Sequence, residues 1–295
     1  MPRWCPLACA AVLLAACGSS SSAARPTQTP IAVVQASPAA ASTPSPPLRP
    51  AANPSHVFVI VLENRSYTQA IAGPYQAALA RQFAAATNYH GVSHPSLPNY
   101  LAMTSGSTWG IADDGFHPLP AGGLGTQLTN ANVPWRAYME GMTNGCFHSG
   151  YPYALKHNPF AYYGSACPPQ VVPFSQFATD MKGDVPRFVW ITPGLCHDGH
   201  DCSTAVAESW LRQTIPAILA TGAWKQGGIL FVTYDEGEDT ANSVLTLVIR
   251  PNPPNHASTV AYNHYSLLAT IEDLLGVPRL GAARNAWAMT DLTSA

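Results

Sequence analysis

Two apolar runs in this chain each end in a pair of polar side chains of the kind that bind metal ions. One run precedes Glu63 and Asn64, and the other precedes Asp235 and Glu236. Continuous apolar runs are typical of buried strands in a parallel sheet, and ligands bind beyond the carboxyl ends of such strands. The repetition therefore predicts a site for a hard divalent cation at one edge of a parallel sheet.

The rest of the pattern alternates strands with helices. Apolar runs predict strands at residues 56–62, 133–139, 187–192, 228–234 and 243–249. Helical spacing of apolar residues predicts helices over residues 75–86, 205–219 and 266–275. This alternation indicates an α/β fold, a three-layer α/β/α sandwich in which helices cover both faces of a mostly parallel central sheet.

The first 17 residues resemble a bacterial lipoprotein signal. Arg3 precedes an apolar stretch that ends in Leu14, Ala15, Ala16 and Cys17, with Cys17 at the position that such proteins lipidate. The stretch is too short to span a membrane. We expect an exported cell-envelope lipoprotein attached to the membrane through a lipid on Cys17. The alternative, an ordinary cleaved signal peptide, also predicts export.

Residues 18–54 are mostly Ser, Ala, Thr and Pro, which predicts a disordered tether because such a segment buries too little apolar surface to fold. Residues 55–295 suit one large domain. They hold all 16 Asp and Glu of the chain, whereas three of its 14 basic residues, Arg3, Arg25 and Arg49, precede them. The negative balance argues against a nucleic-acid partner. No obligate protein partner is evident from the sequence.

Four cysteines lie in this domain, and an even number in an exported protein suggests two disulfides. We expect the local pairs Cys146–Cys167 and Cys196–Cys202. The second pair encloses two histidines and two aspartates. A zinc site built from these thiolates and histidines is the alternative, but export favours the disulfide.

Ser96 follows a proline turn and precedes a predicted helix. A helix amino terminus offers backbone N–H groups and a favourable dipole to an anion, so a phosphate could lie against Ser96. The alternative is that Ser96 only caps the helix. The chain has no Gly-x-Ser-x-Gly motif, which argues against an α/β-hydrolase, and no P-loop or dinucleotide-binding motif follows a strand.

Six segments, taken in order, resemble the phosphoesterase family that contains bacterial and fungal acid phosphatases and bacterial phospholipases C. The segments are HVFVIVLENRSY, SHPSLPNYLAMTSG, KHNPFAYY, CHDGHDCS, FVTYDEGED and NHYSLLATIEDLLGV. Together they span most of residues 56–276. The resemblance implies an alkaline-phosphatase-like fold and the hydrolysis of phosphate esters.

The resemblance also implies roles for individual residues. Ser96 would be the nucleophile, and His200 would contact the phosphoryl group as a second catalytic residue. The implied ligands of one divalent metal ion are Glu63, Asn64, Ser96, Asp235 and Glu236. The implied substrate-binding residues are His94, Asn99, His157, Asp198 and His264. Oxygen ligands suit Ca, Mg or Mn, and they are also compatible with Fe or Zn.

These roles predict attack by Ser96, a phosphoseryl intermediate and its hydrolysis by water. Residues 238–243 lack the histidine that phospholipase-type members carry after the second metal pair, and no lipid-binding domain follows. Both features favour small phosphomonoesters, hydrolysed at acidic to neutral pH. The alternatives are a phospholipase C-like phosphodiesterase and a catalytically silent lipoprotein that captures metal or phosphate.

Overall fold

The computed structural model describes residues 54–251 and 257–294. The predicted signal peptide, Cys17 and nearly all of the predicted tether lie outside these residues and stay predictions. Within the described ranges, no helix is both long and apolar enough to cross a membrane.

The strands of the described residues fall into one large sheet and one small one. They are β1 (Val57–Leu62), β2 (Ala84–Ala86), β3 (Tyr89–His90), β4 (Trp135–Met139), β5 (Val171–Pro173), β6 (Phe188–Thr192), β7 (Ile229–Tyr234), β8 (Thr246–Ile249), β9 (Ala257–Ser258) and β10 (Tyr262–Asn263). The five predicted strands correspond to β1, β4, β6, β7 and β8 and are confirmed with small changes at their ends.

The large sheet has the strand order β5-β4-β6-β1-β7-β8-β2-β9. The five strands from β5 to β7 run parallel, and β8 is antiparallel to both β7 and β2. Every residue of β1 is fully buried, as expected for the central strand of a sheet covered on both faces. The predicted α/β class with a mostly parallel sheet is confirmed.

Helices connect the strands and pack against the sheet. They are α1 (Tyr67–Ile71), α2 (Pro74–Gln82), α3 (Ser96–Ser105), α4 (Gly123–Asn130), α5 (Gly145–His148), α6 (Phe177–Asp180), α7 (Thr204–Leu219), α8 (Gly222–Lys225), α9 (His264–Leu275) and α10 (Thr290–Thr293). The predicted helices over residues 205–219 and 266–275 are α7 and α9. Helix α3 packs along α9, and α2 packs along α7.

The helix predicted over residues 75–86 is wrong at its carboxyl end. Helix α2 stops at Gln82, and Ala84–Ala86 form strand β2 between β8 and β9. Alanine has the highest helix propensity of all residues, so the local sequence favours a helix here. Burial of all three alanines between two neighbouring strands outweighs that weak preference.

Both predicted disulfides are present. Cys146 is bonded to Cys167, and Cys196 is bonded to Cys202. The first ties α5 to the segment before β5. The second closes a short loop that follows β6, the strand next to β1 in the sheet. Two disulfides are typical of a protein that works outside the cytoplasm.

Candidate active site

The first two carboxylates of the site are adjacent because the strands that carry them are adjacent. Strands β1 and β7 pair in parallel with Leu62 opposite Tyr234, so Glu63 and Asp235 leave the sheet side by side. Both side chains are fully buried. The sequence predicted this meeting from the two apolar runs alone.

Asn64 turns the chain back over the strand ends. Its φ of 44° lies in the left-handed region, which asparagine tolerates better than most residues. Its backbone N–H donates to Oδ1 of Asp235 at 3.2 Å, and its side-chain amide lies 3.0 Å from Oε2 of Glu63 and 3.3 Å from Oε1 of Glu236. Asn64 therefore joins the two predicted metal-binding pairs.

Ser96 enters the same site from the first residue of α3. Its Oγ atom donates a hydrogen bond to Oε2 of Glu63 at 2.9 Å, and the residue is almost fully buried. The preceding His94-Pro95 bond is cis. The five predicted metal ligands are thus connected by contacts through Glu63, Asn64 and Asp235.

The carboxylates of this cluster repel one another. Burial, together with the charges of Glu63 and Glu236, raises the pKa of Asp235 well above its usual value. Burial and the charge of Glu63 likewise raise the pKa of Glu236, although His94 opposes this. A buried group of acids with raised pKa values is the kind of site that a cation stabilises.

The polar atoms left without a partner fit a cation as well. Oδ2 of Asp235 is buried and accepts no hydrogen bond, whereas Oε1 of Glu63 is buried with Nε2 of His157 3.2 Å away. The side-chain amide of Asn64 lies against the carboxylate oxygens of Glu63 and Glu236, to which its nitrogen can donate and beside which its oxygen could join them as a cation ligand. The residues therefore fit the hard divalent ion that the sequence predicted.

His, Cys, Asp and Glu side chains alone do not build this candidate centre. Among the described residues, no group of three or more of these four residue types is placed so that it could hold a metal ion. The candidate centre depends on the oxygens of Asn64 and Ser96 in addition to the carboxylates. Such oxygens are ordinary ligands for calcium and magnesium.

His157 lies behind the carboxylates and is fully enclosed. Its ring stacks on Tyr100 with centroids 5.2 Å apart, Nε2 lies 3.2 Å from Oε1 of Glu63, and Nδ1 lies 3.4 Å from Oδ2 of Asp198. Burial lowers the pKa of His157, but the two carboxylates raise it more, to about 9. The imidazolium therefore holds Glu63 and Asp198 in place. Its predicted role in substrate binding is not tested by this position.

The loop closed by Cys196 and Cys202 carries two more predicted residues. Oδ1 of Asp198 accepts a hydrogen bond from the backbone N–H of His200 at 2.7 Å. Between them Gly199 has a φ of 102°, a backbone conformation that residues with a side chain rarely adopt. The turn exposes part of His200, whose ring lies 5.9 Å from that of His157.

His94 lies at the outer side of the site. Its Nδ1 atom is 2.5 Å from Oε2 of Glu236, and over half of its side chain is exposed. This position is compatible with the predicted contact to substrate.

Two other predicted substrate-binding residues are buried, and their side chains form hydrogen bonds within the protein. Asn99 accepts hydrogen bonds from the backbone of Val92 and Ser93 and donates to the carbonyls of Ser93 and Pro95. His264 bonds the hydroxyl of Tyr89 and the carbonyl of Asp235, and burial lowers its pKa to about 4. Both side chains hold the chain around the site, and their contact with substrate stays a prediction.

Three residues near the site were missed by the sequence reasoning. Tyr100 stacks on His157, Asp114 accepts a hydrogen bond from the backbone N–H of Leu97 at 3.0 Å, and Lys156 contacts both Asp114 and His200. Lys156 stands directly before His157 in the KHNPFAYY segment. Asp114 lies in a loop without any motif that would have identified it.

The overall architecture is found in solved proteins of low sequence identity. A protein of the alkaline phosphatase superfamily from Vibrio parahaemolyticus superposes with a TM-score of 0.58 at 13% identity, over 82% of this chain and 73% of that one. The lipoteichoic acid synthase LtaP from Listeria monocytogenes gives 0.57 at 10% identity, over 80% and 77%. At such identities the likeness shows the fold alone, which this chain shares with these proteins.

Relatives that are similar in sequence identify the family of this chain. Residues 69–278 match the Phosphoesterase family, and the chain belongs to that family. It is 30% identical to a phosphatidylinositol-3-phosphatase from Mycobacterium tuberculosis over 81% of this chain and 82% of that protein. It is 29% identical to a phosphate-repressible acid phosphatase from Penicillium chrysogenum over 75% of this chain.

The matched region covers only part of the length of each fungal relative. The matched region spans 59% of the Penicillium protein and 55% of an acid phosphatase from Aspergillus fumigatus, to which the chain is 28% identical. The family predicted from the six motifs is confirmed. The predicted enzyme class, a phosphoric ester hydrolase, agrees with the family and with these relatives.

Proposed function

We propose that this chain is a metal-dependent phosphatase that hydrolyses small phosphomonoesters through a serine nucleophile. The observation that carries the proposal is the position of Ser96, whose Oγ atom lies at the amino end of α3 and 2.9 Å from a buried carboxylate of Glu63. A buried serine held against carboxylates, at a helix end that favours anions, suits attack on a phosphate ester.

One divalent ion would complete the site. Its ligands would be Glu63, Asn64, Ser96, Asp235 and Glu236. When bound, such an ion lowers the pKa of the serine hydroxyl and neutralises charge on the phosphoryl oxygens. The buried, unpartnered Oδ2 of Asp235 and the raised pKa values of Asp235 and Glu236 support its presence.

The protein residues would divide the remaining work. Deprotonated Ser96 forms a bond to phosphorus while the bond from phosphorus to the leaving oxygen breaks, and a proton from His200 goes to that oxygen. Water then gives a proton to His200 while its oxygen bonds to phosphorus, and the bond from phosphorus to Oγ of Ser96 breaks, which releases phosphate and returns Ser96 to its deprotonated form. His157 keeps Glu63 in position throughout, because it is packed between Tyr100 and the two carboxylates. Positioning and electrostatics supply most of the rate enhancement.

The cellular setting is also part of the proposal. Two disulfides fit an exported protein, and the predicted lipid on Cys17 would attach it to the membrane as a cell-envelope lipoprotein. A pool of lipidated, membrane-bound protein that disappears on Cys17→Ser would support the anchor. Release of equal amounts of soluble protein by both forms would contradict it.

The function is tested with residues 50–295 and two chromogenic substrates. The assay compares p-nitrophenyl phosphate with p-nitrophenyl phosphorylcholine, with and without EDTA. Monoester turnover that is lost with EDTA and restored by a divalent metal supports the proposal. A preference for the choline diester would establish the phospholipase C-like alternative instead. Absence of turnover together with tight phosphate binding would show a protein that captures phosphate.

A further inference from the structure

Lys156 holds an unusual position for a lysine, since it is mostly enclosed beside the candidate active site. Its side chain is 19% exposed. The Nζ atom lies 2.9 Å from Oδ2 of Asp114 and 3.3 Å from Nε2 of His200.

Asp114 links this ammonium group to the nucleophile. Its second carboxylate oxygen accepts a hydrogen bond from the backbone N–H of Leu97, the residue after Ser96. One carboxylate therefore fixes both the start of α3 and the end of the lysine side chain. Lys156 therefore contacts His200 directly and is linked to the residue after Ser96 through Asp114.

The charge of Lys156 is favoured by the same surroundings. Burial lowers its pKa, but the hydrogen bond to Asp114 and the charges of Glu63 and Asp235 raise it by more, so the net shift is upward. The lysine therefore carries a positive charge within electrostatic range of the two central carboxylates. That charge is separate from any metal ion.

The contact between Lys156 and His200 fixes the state of the histidine. An ammonium group can only donate, so Nε2 of His200 accepts. Nδ1 of His200 faces Oδ1 of Asp201 at 2.6 Å and therefore carries the ring proton. In this arrangement Nε2 of His200 has no proton for a leaving group. Lys156 has to move away from Nε2 before His200 can act there.

We propose that Lys156 binds a non-bridging oxygen of the phosphoryl group and makes the site selective for dianionic phosphomonoesters over monoanionic diesters. In the free enzyme its ammonium group is held between Asp114 and His200. When substrate binds, the ammonium group keeps its contact with Asp114. Its contact with Nε2 of His200 is replaced by a contact with the phosphoryl oxygen. Nε2 of His200 is then free to take up a proton from water and to donate it to the leaving oxygen.

The selectivity follows from charge. A monoester dianion has one more negative charge and one more free oxygen than a diester, so a further cation in a mostly enclosed site favours it. This inference rests on the proposed phosphatase function, and it concerns the substrate class of the same site. A purely structural role for Lys156, as the partner of Asp114, would instead affect both substrates equally.

The test uses two substrates with the same leaving group, p-nitrophenyl phosphate and its methyl diester. The variant Lys156→Met removes the charge and keeps the length of the side chain, and Lys156→Arg keeps the charge. Lys182→Met is the matched control, since Lys182 is exposed and lies away from the site. Thermal melting of each variant reports on folding.

We expect Lys156→Met to lower kcat/KM for the monoester by about 10- to 100-fold and that for the diester by less than about threefold, from the strength of one charge-assisted hydrogen bond. Lys156→Arg should recover most of the monoester activity. The inhibition constant of inorganic phosphate should rise about tenfold in Lys156→Met while that of dimethyl phosphate stays constant.

Equal losses on both substrates, or an unchanged ratio of the two, would overturn the inference. If diester turnover is too slow to measure, the two inhibition constants decide in the same way, because equal changes or no change contradict a charge-selective role. Ser96→Ala tests the proposed serine mechanism separately from the role of Lys156. Retained activity in that variant would overturn the serine mechanism, whatever the behaviour of Lys156→Met.

Discussion

Oγ of Ser96 donates a hydrogen bond to Oε2 of Glu63 at 2.9 Å, and these two residues come from different elements of the fold. Glu63 is placed by the end of β1, whereas Ser96 is placed by the start of α3. The contact joins the central sheet to the helix that carries the nucleophile. Changes on either side are therefore expected to affect both metal binding and catalysis.

Asp235 gives a prediction that separates stability from function. Since burial and neighbouring acids raise the pKa of Asp235, its carboxylate destabilises the protein when no cation is bound. We expect Asp235→Asn to raise the melting temperature in EDTA, and to lower kcat/KM by about 100-fold or more because an ion ligand is lost. Calorimetry with and without a divalent metal and a turnover assay measure both effects.

The metal response of the same variant provides the contrast. A divalent ion should stabilise the wild-type protein and have a much smaller effect on Asp235→Asn, because binding to the native state alone raises stability. Asp184→Asn, at an exposed position, is the control. An Asp235→Asn protein that is less stable in EDTA and still responds fully to metal would contradict the arrangement.

Asn99 is expected to act through the loop that it holds. Its amide accepts from two backbone N–H groups and donates to two carbonyls within residues 92–95. Asn99→Ala should cost about 2–4 kcal/mol of unfolding free energy, because buried polar groups lose their partners. Urea unfolding measures the loss. A change below about 0.5 kcal/mol would show that these bonds contribute little.

The two disulfides should differ in what their removal affects. From the lengths of the closed loops, the Cys146–Cys167 bond contributes about 3 kcal/mol and the Cys196–Cys202 bond about 2 kcal/mol. The second bond closes the loop of Asp198 and His200. We expect the paired serine variant of residues 196 and 202 to lose more activity, and that of residues 146 and 167 to lose more stability.

Unfolding free energies and kcat/KM of the two paired variants test this contrast. The matched design controls for the general effect of losing a disulfide. The reverse order of activity losses would mean that the loop of residues 196–202 is positioned by other contacts, such as the hydrogen bond from Glu63 N–H to the Asp198 carbonyl.

Glu272 in α9 predicts a pH dependence of stability unrelated to the active site. One oxygen accepts from the backbone of Leu280, the other has no partner, and burial raises the pKa to about 8 from 4.5. Between these values the folded state binds more protons than the unfolded state, so the unfolding free energy falls as pH rises. The loss begins above pH 4.5 and is complete once the pH passes about 8.

Glu272→Gln should flatten this dependence and be about 1–3 kcal/mol more stable than the wild-type protein at pH 8.5, less than the full shift implies because the carboxylate keeps the hydrogen bond from Leu280. Chemical unfolding at several pH values measures the unfolding free energy of both proteins. Glu238→Gln, whose side chain is about half exposed, is the control. Parallel curves for the wild-type protein and Glu272→Gln would show that Glu272 titrates normally.

The sequence predicted the parts of the site that strand ends determine. Glu63 and Asp235 follow apolar runs typical of buried parallel strands, and the structure shows that these two strands are neighbours. The local cysteine pairs close loops as predicted. Sequence reasoning failed where long-range packing decides. Ala84–Ala86 form a strand because neighbouring strands pair with them. No periodic pattern marks Asp114 or Lys156, because their contact depends on how distant segments of the chain pack beside α3.

The central claim is that Ser96 attacks the phosphate ester, and the turnover of p-nitrophenyl phosphate by Ser96→Ala tests it most directly. With divalent metal present, we predict a loss of kcat of about 1,000-fold or more, with a melting temperature within a few degrees of the wild-type value. A folded Ser96→Ala protein that keeps more than about a tenth of the wild-type activity would contradict the account.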